Sequence, residues 1–167
     1  FDTVNDRGVE QLLFVFNELQ KQAAEVLPSQ YAELGDLVAI DGSLIDSVLS
    51  MHWAEYRTNS KKAKLHLGLD LNHSIPRKLF LTEGNGAERP FVSKSIEPGQ
   101  TGVMDRGYQA HHLFAQWQLD NCHFVCRIKE STHRDIIEQF HVQKESHIFF
   151  DAKVLLEDLA DDLGVTI

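Results

Sequence analysis

The feature that most limits what this chain can fold into is a pair of short apolar runs, each closed by an aspartate with a glycine close behind. They are Leu37-Val38-Ala39-Ile40-Asp41-Gly42-Ser43 and Gly102-Val103-Met104-Asp105-Arg106-Gly107-Tyr108. Each is too short for a helix and too continuously apolar for a half-solvated strand, so each reads as a strand buried on both faces. An aspartate at the end of such a strand leaves the core where backbone gives way to loop. If the two strands lie side by side in one sheet, both carboxylates emerge at one rim. Two hard oxygen donors at one rim can hold a divalent cation.

The rest of the chain supplies elements to surround that pair. Leu12, Phe16, Leu19, Ala23 and Val26 recur at helical steps and predict a packing helix over Val9–Leu27, capped by Asn5 or Asp6 and stopped by Pro28. Leu44, Ile45, Val48 and Leu49 suggest a short helix or ordered loop reaching Trp53. Ala63, Leu65, Leu67, Leu69 and Leu71 alternate with Lys64, His66, Gly68 and Asp70, which predicts a half-exposed strand with its leucines on the core. Asn72-His73-Ser74 is turn chemistry. Arg77–Thr82 is expected to return as the second strand of a hairpin, with Pro76 marking an edge strand. A weak helical signal at Phe91 and Val92, the Asp105 strand, a helix over Gln109–Leu119 and a strand over His123–Ile128 follow. Ala152–Leu163 has helical spacing. Strands joined through helices imply parallel neighbours, so a mixed α/β sheet flanked by helices is expected.

Composition narrows the function classes. Of 167 residues, 43% are hydrophobic and 25% charged, the values of a globular chain. No apolar stretch approaches membrane-spanning length. Cys122 and Cys126 are four apart on one short segment, too far to bridge along a strand, which fits a reducing cytoplasm. Their spacing to His111, His112 and His123 matches neither zinc knuckles nor a helix-face site. The net charge of −9 argues against a stand-alone nucleic-acid binder. The charge is uneven, however: Arg57, Lys61, Lys62 and Lys64 form a basic stretch, whereas Asp151–Asp162 is acidic.

The words around the two aspartates resemble those of the DDE transposases of bacterial insertion sequences, in the IS-four group. Ala-Ile-Asp-Gly-Ser at 39–43 is similar to the first catalytic block of that family and Val-Met-Asp-Arg-Gly-Tyr at 103–108 to the second. Lys62–Gly86 looks like the family's hairpin, with a proline entering its second strand. Phe-Val-Cys-Arg-Ile-Lys at 124–129 resembles the basic strand that follows. Four such words in the correct order are specific where one alone is weak. The resemblance implies a ribonuclease-H-like core over residues 37–129, a lead-in helix over 1–36 and the start of an insertion subdomain over 130–167.

The same resemblance implies a metal-dependent enzyme that cleaves and joins DNA strands at transposon ends. Asp41 and Asp105 would be the catalytic metal ligands, with Mg²⁺ as the ion and Mn²⁺ as its substitute. Double-stranded DNA would be the partner, and the full-length protein a homodimer. The family's third acid, a glutamate in a tyrosine-arginine-glutamate-lysine setting, has no counterpart here. Glu130, Glu138, Glu145 and Glu157 all lack that setting, so the fold is expected to be truncated before the third acid and inactive alone. The residues themselves leave plainer readings open. A single aspartate after a strand is ordinarily a cap. Arg106, Tyr108, Arg127, Lys129, Lys61 and Lys62 either contact DNA or sit as ion-pair, packing or solvated residues. Gly107 reads as a backbone requirement of its turn, and Trp53 and Trp117 as core. Alternative functions are a nuclease whose third acid is Glu130 or Glu138, and a non-catalytic remnant.

Overall fold

The computed structural model describes residues 10–47, 52–57 and 60–156. Helix α1 (Glu10–Val26) leads to β1 (Leu37–Asp46), β2 (Glu55–Arg57), β3 (Ser60–Asp70) and β4 (Ile75–Glu83). A short helix α2 (Val92–Ser95), β5 (Thr101–Met104), α3 (His111–Leu119) and β6 (His123–Cys126) complete the main body. Strands β7 (Arg134–Gln139) and β8 (Ala152–Leu156) pair separately as an antiparallel two-stranded sheet. In the main sheet the order runs β2-β3-β1-β5-β6, with β4 also on β3. The β1–β3 and β3–β4 pairs are antiparallel, while β1–β5 and β5–β6 are parallel. This is the mixed α/β sheet of the ribonuclease-H-like fold expected above. The β5–β6 pair is joined through helix α3, whereas β1 reaches β5 by way of β2, β3, β4 and the short α2, because a chain must return to the same end before running parallel beside itself.

The register decides which face is core. Val38 and Ile40 of β1 lie opposite Asp70 and Gly68 of β3, and opposite Gly102 and Met104 of β5. On that face Val38, Ile40 and Met104 pack with Val92, Ile96, Tyr108, Phe114 and Trp117. Phe114 stacks on Phe124 with centroids 4.4 Å apart, and the Trp117 indole N–H donates to Ser93 Oγ at 2.9 Å, so the aromatic core carries no orphaned indole. The alternation in β3 is real but its sense is inverted. His66, Gly68 and Asp70 are buried and the leucines between them only half-buried. The reason is what sits above each face. Phe91 stacks on His66 at 4.0 Å, and Ser95 reaches to within 3.5 Å of where a Gly68 β-carbon would lie. Asp70 accepts from the backbone N–H and the imidazole of His73.

Other expectations need correction. β1 runs on to Asp46, because β3 continues to pair with it, so residues 44–46 are strand rather than helix or loop. Val48 and Leu49 lie outside the described residues, as do Asn5 and Asp6. Helix α1 buries none of its residues, and Leu12 and Leu19 stay 63% and 60% exposed. It packs against the β4 edge, where Gln20 donates to the Pro76 carbonyl, and its stripe is at most half-buried, at Phe16 and Ala23. Trp53 is 52% exposed because the chain turns there, and the neighbouring Ala54 is buried in its place. Ala152–Leu156 forms a strand rather than a helix, since β7 offers it a ladder. Pro76 does lie in a strand that pairs on one side only, where its missing N–H costs no ladder bond.

Candidate active site

Ile40 and Met104 are the last register partners of the parallel β1–β5 pair. Asp41 and Asp105 are therefore the next residues along two neighbouring strands that point the same way. Their backbones start one strand spacing apart, roughly 5 Å. Asp41 does not close its strand as expected. It lies where β1 loses its β5 partner while keeping β3, opposite Leu67 and on the face away from the aromatic core. That one-sided pairing opens the sheet beside it.

Asp105 is held by its own turn. Its extended backbone caps the 3₁₀ turn Arg106–Tyr108, and its Oδ1 accepts from the Gly107 N–H at 2.7 Å. A β-carbon at Gly107 would meet that same oxygen at 2.9 Å. The glycine is thus needed for space against the carboxylate. Both aspartates are exposed. Asp41 and the Oδ2 atom of Asp105 make no hydrogen bond or ion pair among the described residues. Two hard, uncommitted carboxylates at one rim fit Mg²⁺ or Mn²⁺, ions that are held by one or two carboxylates with water and substrate phosphate completing the shell. No group of three His, Cys, Asp or Glu side chains among the described residues could hold a metal ion.

Beneath the rim lie two residues that feel its charge. Tyr108 is 1% exposed, and its buried hydroxyl has no hydrogen-bond partner among the described residues. Burial first, then the charges of Glu88, Asp41 and Asp105, push its phenol well above the ordinary range. The ring belongs to the core, the packing place that stood as the alternative to contacting DNA. Cys126 donates through Sγ to the Asp105 carbonyl at 3.3 Å. Burial and then the Asp105 charge push its thiol up to about 11, so without a metal beside it the group stays protonated at neutral pH.

The cations divide into two sets. Arg106 and Lys129 line an open cleft of about 560 Å³ with Asp105, Gly107, Glu130 and Ser131. Lys129 and Ser131 also line a second cleft of about 420 Å³, with Arg89, His112 and Thr132 at the start of α3. Gln109 joins these walls: its amide nitrogen donates to Thr132 Oγ1 at 2.7 Å and its oxygen accepts from the Lys129 N–H at 2.7 Å. Arg127 and Lys129 do not alternate along a strand face, because β6 ends at Cys126. Arg127 is exposed beyond it. The basic stretch in β3 is largely engaged. Lys62 pairs with Asp46 at 2.6 Å and Lys64 with Glu88 at 3.0 Å, and Lys61 is half-buried. Arg57 lies over the Tyr56 ring at 4.9 Å. Glu88, Arg89, Gln109 and His112 were not legible beforehand, since nothing in their local sequence marks them.

No curated protein and no solved structure matches the chain. A protein-family model described as a transposase DDE domain matches residues 33–158, a span that takes in both aspartates, the clefts and all six strands of the main sheet. The chain therefore belongs to the DDE transposase domain family.

Proposed function

We propose that this chain is the catalytic domain of an insertion-sequence transposase of the bacterial IS-four group, with Asp41 and Asp105 as the ligands of its Mg²⁺. The supporting observation is the parallel Ile40–Met104 register, which makes the two aspartates next-door residues at one rim. When bound, the ion would activate an attacking hydroxyl and stabilise the leaving oxygen of an in-line phosphodiester displacement. The chain's own residues do the rest. The Gly107 N–H orients Asp105 by fixing its Oδ1, leaving Oδ2 for the ion. Arg106, Lys129, Arg89 and His112 face the two clefts beside Asp105 and are the phosphate contacts we assign. Arg127 extends that path; Lys61 and Lys62 flank it at most. This reading assigns no third carboxylate among the described residues. The active protein is a cytoplasmic homodimer on double-stranded transposon ends. No described helix is long and apolar enough to cross a membrane.

Calorimetric titration of the chain with Mn²⁺ tests this reading. Asp41→Asn and Asp105→Asn should each weaken binding at least about tenfold, the loss of one of two anionic ligands. Unchanged binding in both variants would refute it. One observation favours a second reading: Glu130 lines the same cleft as Asp105. Strong Mn²⁺-dependent nicking of plasmid DNA by the chain, lost in Glu130→Gln, would make the protein a nuclease with its third acid at Glu130.

A further inference from the structure

The segment between β4 and α2 touches both acid-bearing elements with two consecutive residues. The Glu88 carboxylate is seated against β1 at Gly42, the residue after Asp41. A β-carbon there would meet Glu88 Oε1 at 3.0 Å. Lys64, on the strand paired with β1, holds that oxygen at 3.0 Å, and the two side chains are only 16% and 31% exposed. Lys64 is itself fixed by donating to the Gly86 carbonyl at 2.9 Å. The next residue, Arg89, donates through Nε to the Gly107 carbonyl at 3.4 Å, inside the turn that carries Asp105. After burial, the charges of Glu88, Asp41 and Asp105 all raise the Tyr108 phenol, so the three carboxylates act on one buried group.

We infer that Glu88 is a positioning residue for the two aspartates: packed into the space left by Gly42, pinned by Lys64 and continued by Arg89 on Gly107, it braces the Asp41 strand against the Asp105 turn. The brace sits behind the rim. Gly42 and its register partner His66 share the core face of the sheet, whereas Asp41 projects from the other. Glu88 therefore acts through the backbone that carries Asp41, and it is no ligand itself. A β-carbon at position 42 would make the carboxylate give by a few tenths of an ångström. The inference rests on the metal reading above for its binding consequence, but the brace itself is independent of any metal.

Two measurements on the 167-residue chain separate these. Hydrogen exchange in metal-free protein should quicken in Glu88→Ala at residues 41–44 and 105–109 while the β3–β4 hairpin stays protected. Mn²⁺ affinity should fall roughly tenfold, the usual effect of removing a group that orients a ligand. Gly42→Ala should act in the same direction to a smaller extent when Glu88 is present and add nothing in Glu88→Ala, because the close contact is then gone. Glu88→Gln keeps the shape at Gly42, so it should retain protection and bind Mn²⁺ more tightly than Glu88→Ala; it also carries the test if the alanine variant does not fold. Unchanged exchange in Glu88→Ala, independent additive effects with Gly42→Ala, or glutamine behaving like alanine would each overturn the brace. Failure of Asp41→Asn to alter Mn²⁺ binding would refute the metal reading alone, and exchange would still decide on Glu88.

Discussion

The Tyr108 hydroxyl shows how much of this site is set by single atoms. It is buried against the rim and donates to nothing among the described residues, a state that ordinarily costs about 1–3 kcal/mol. Tyr108→Phe removes the orphaned group and keeps the ring, so chemical denaturation should show the variant as stable as the parent or more stable, by about 1 kcal/mol. A loss of more than about 1 kcal/mol would mean the hydroxyl has a partner in solution. Asp41 and Asp105 were legible in the sequence because a charged residue ending an apolar run has few places to go except a rim. The order of words around them also carried the family. Glu88 was not legible. Its place is fixed by contact with Gly42, which only the strand register creates, and a glutamate in a glycine- and proline-rich loop looks like any solvated acid. Gly107 was read as a backbone need; its N–H holds the Asp105 oxygen, which a β-carbon there would crowd at 2.9 Å.

At the scale of elements, β3 is the instructive case. Its alternation established a strand with two unlike faces. It could not say which face the helices would cover, because that depends on Phe91, Val92 and Ser95 arriving from another part of the chain. They cover the His66–Gly68 face, leaving Leu79 and Leu81 of the adjoining strand 40% and 60% exposed. Gly68→Leu should therefore cost about 1–3 kcal/mol by overpacking against Ser95 and Val38. Leu81→Lys, on the other face, should change stability by less than about 0.5 kcal/mol in the same denaturant titration. The reverse ranking would restore the leucines to the core. His66 adds a pH signature. Burial, then the Lys64 charge, hold its imidazole below the usual 6.5. The fold thus favours neutral His66, and that contribution is complete above pH 6.5 and is lost as pH falls below it towards the folded value. Thermal melts should fall from about pH 7.5 to about pH 5, and His66→Phe, which keeps the stack on Phe91, should flatten part of that slope. An unchanged slope would place a charged imidazole in the fold.

Across the whole molecule, the fold resolves an apparent conflict between a net charge of −9 and a DNA substrate. Two cations of the stretch that looks most basic in the sequence, Lys62 and Lys64, pair internally. Arg106, Lys129 and Arg89, from three separate segments, line the two clefts at the Asp105 end of the sheet. A local basic surface of that kind can take phosphate while the rest of the chain remains acidic. The parallel β1–β5 register puts the two aspartates at that same end, and the function proposed depends on that convergence. Anomalous diffraction from crystals of the chain soaked in Mn²⁺ tests it most directly. The account predicts a manganese peak bonded to carboxylate oxygens of both Asp41 and Asp105, absent in Asp41→Asn; a peak elsewhere, or one that persists unchanged in that variant, would contradict it.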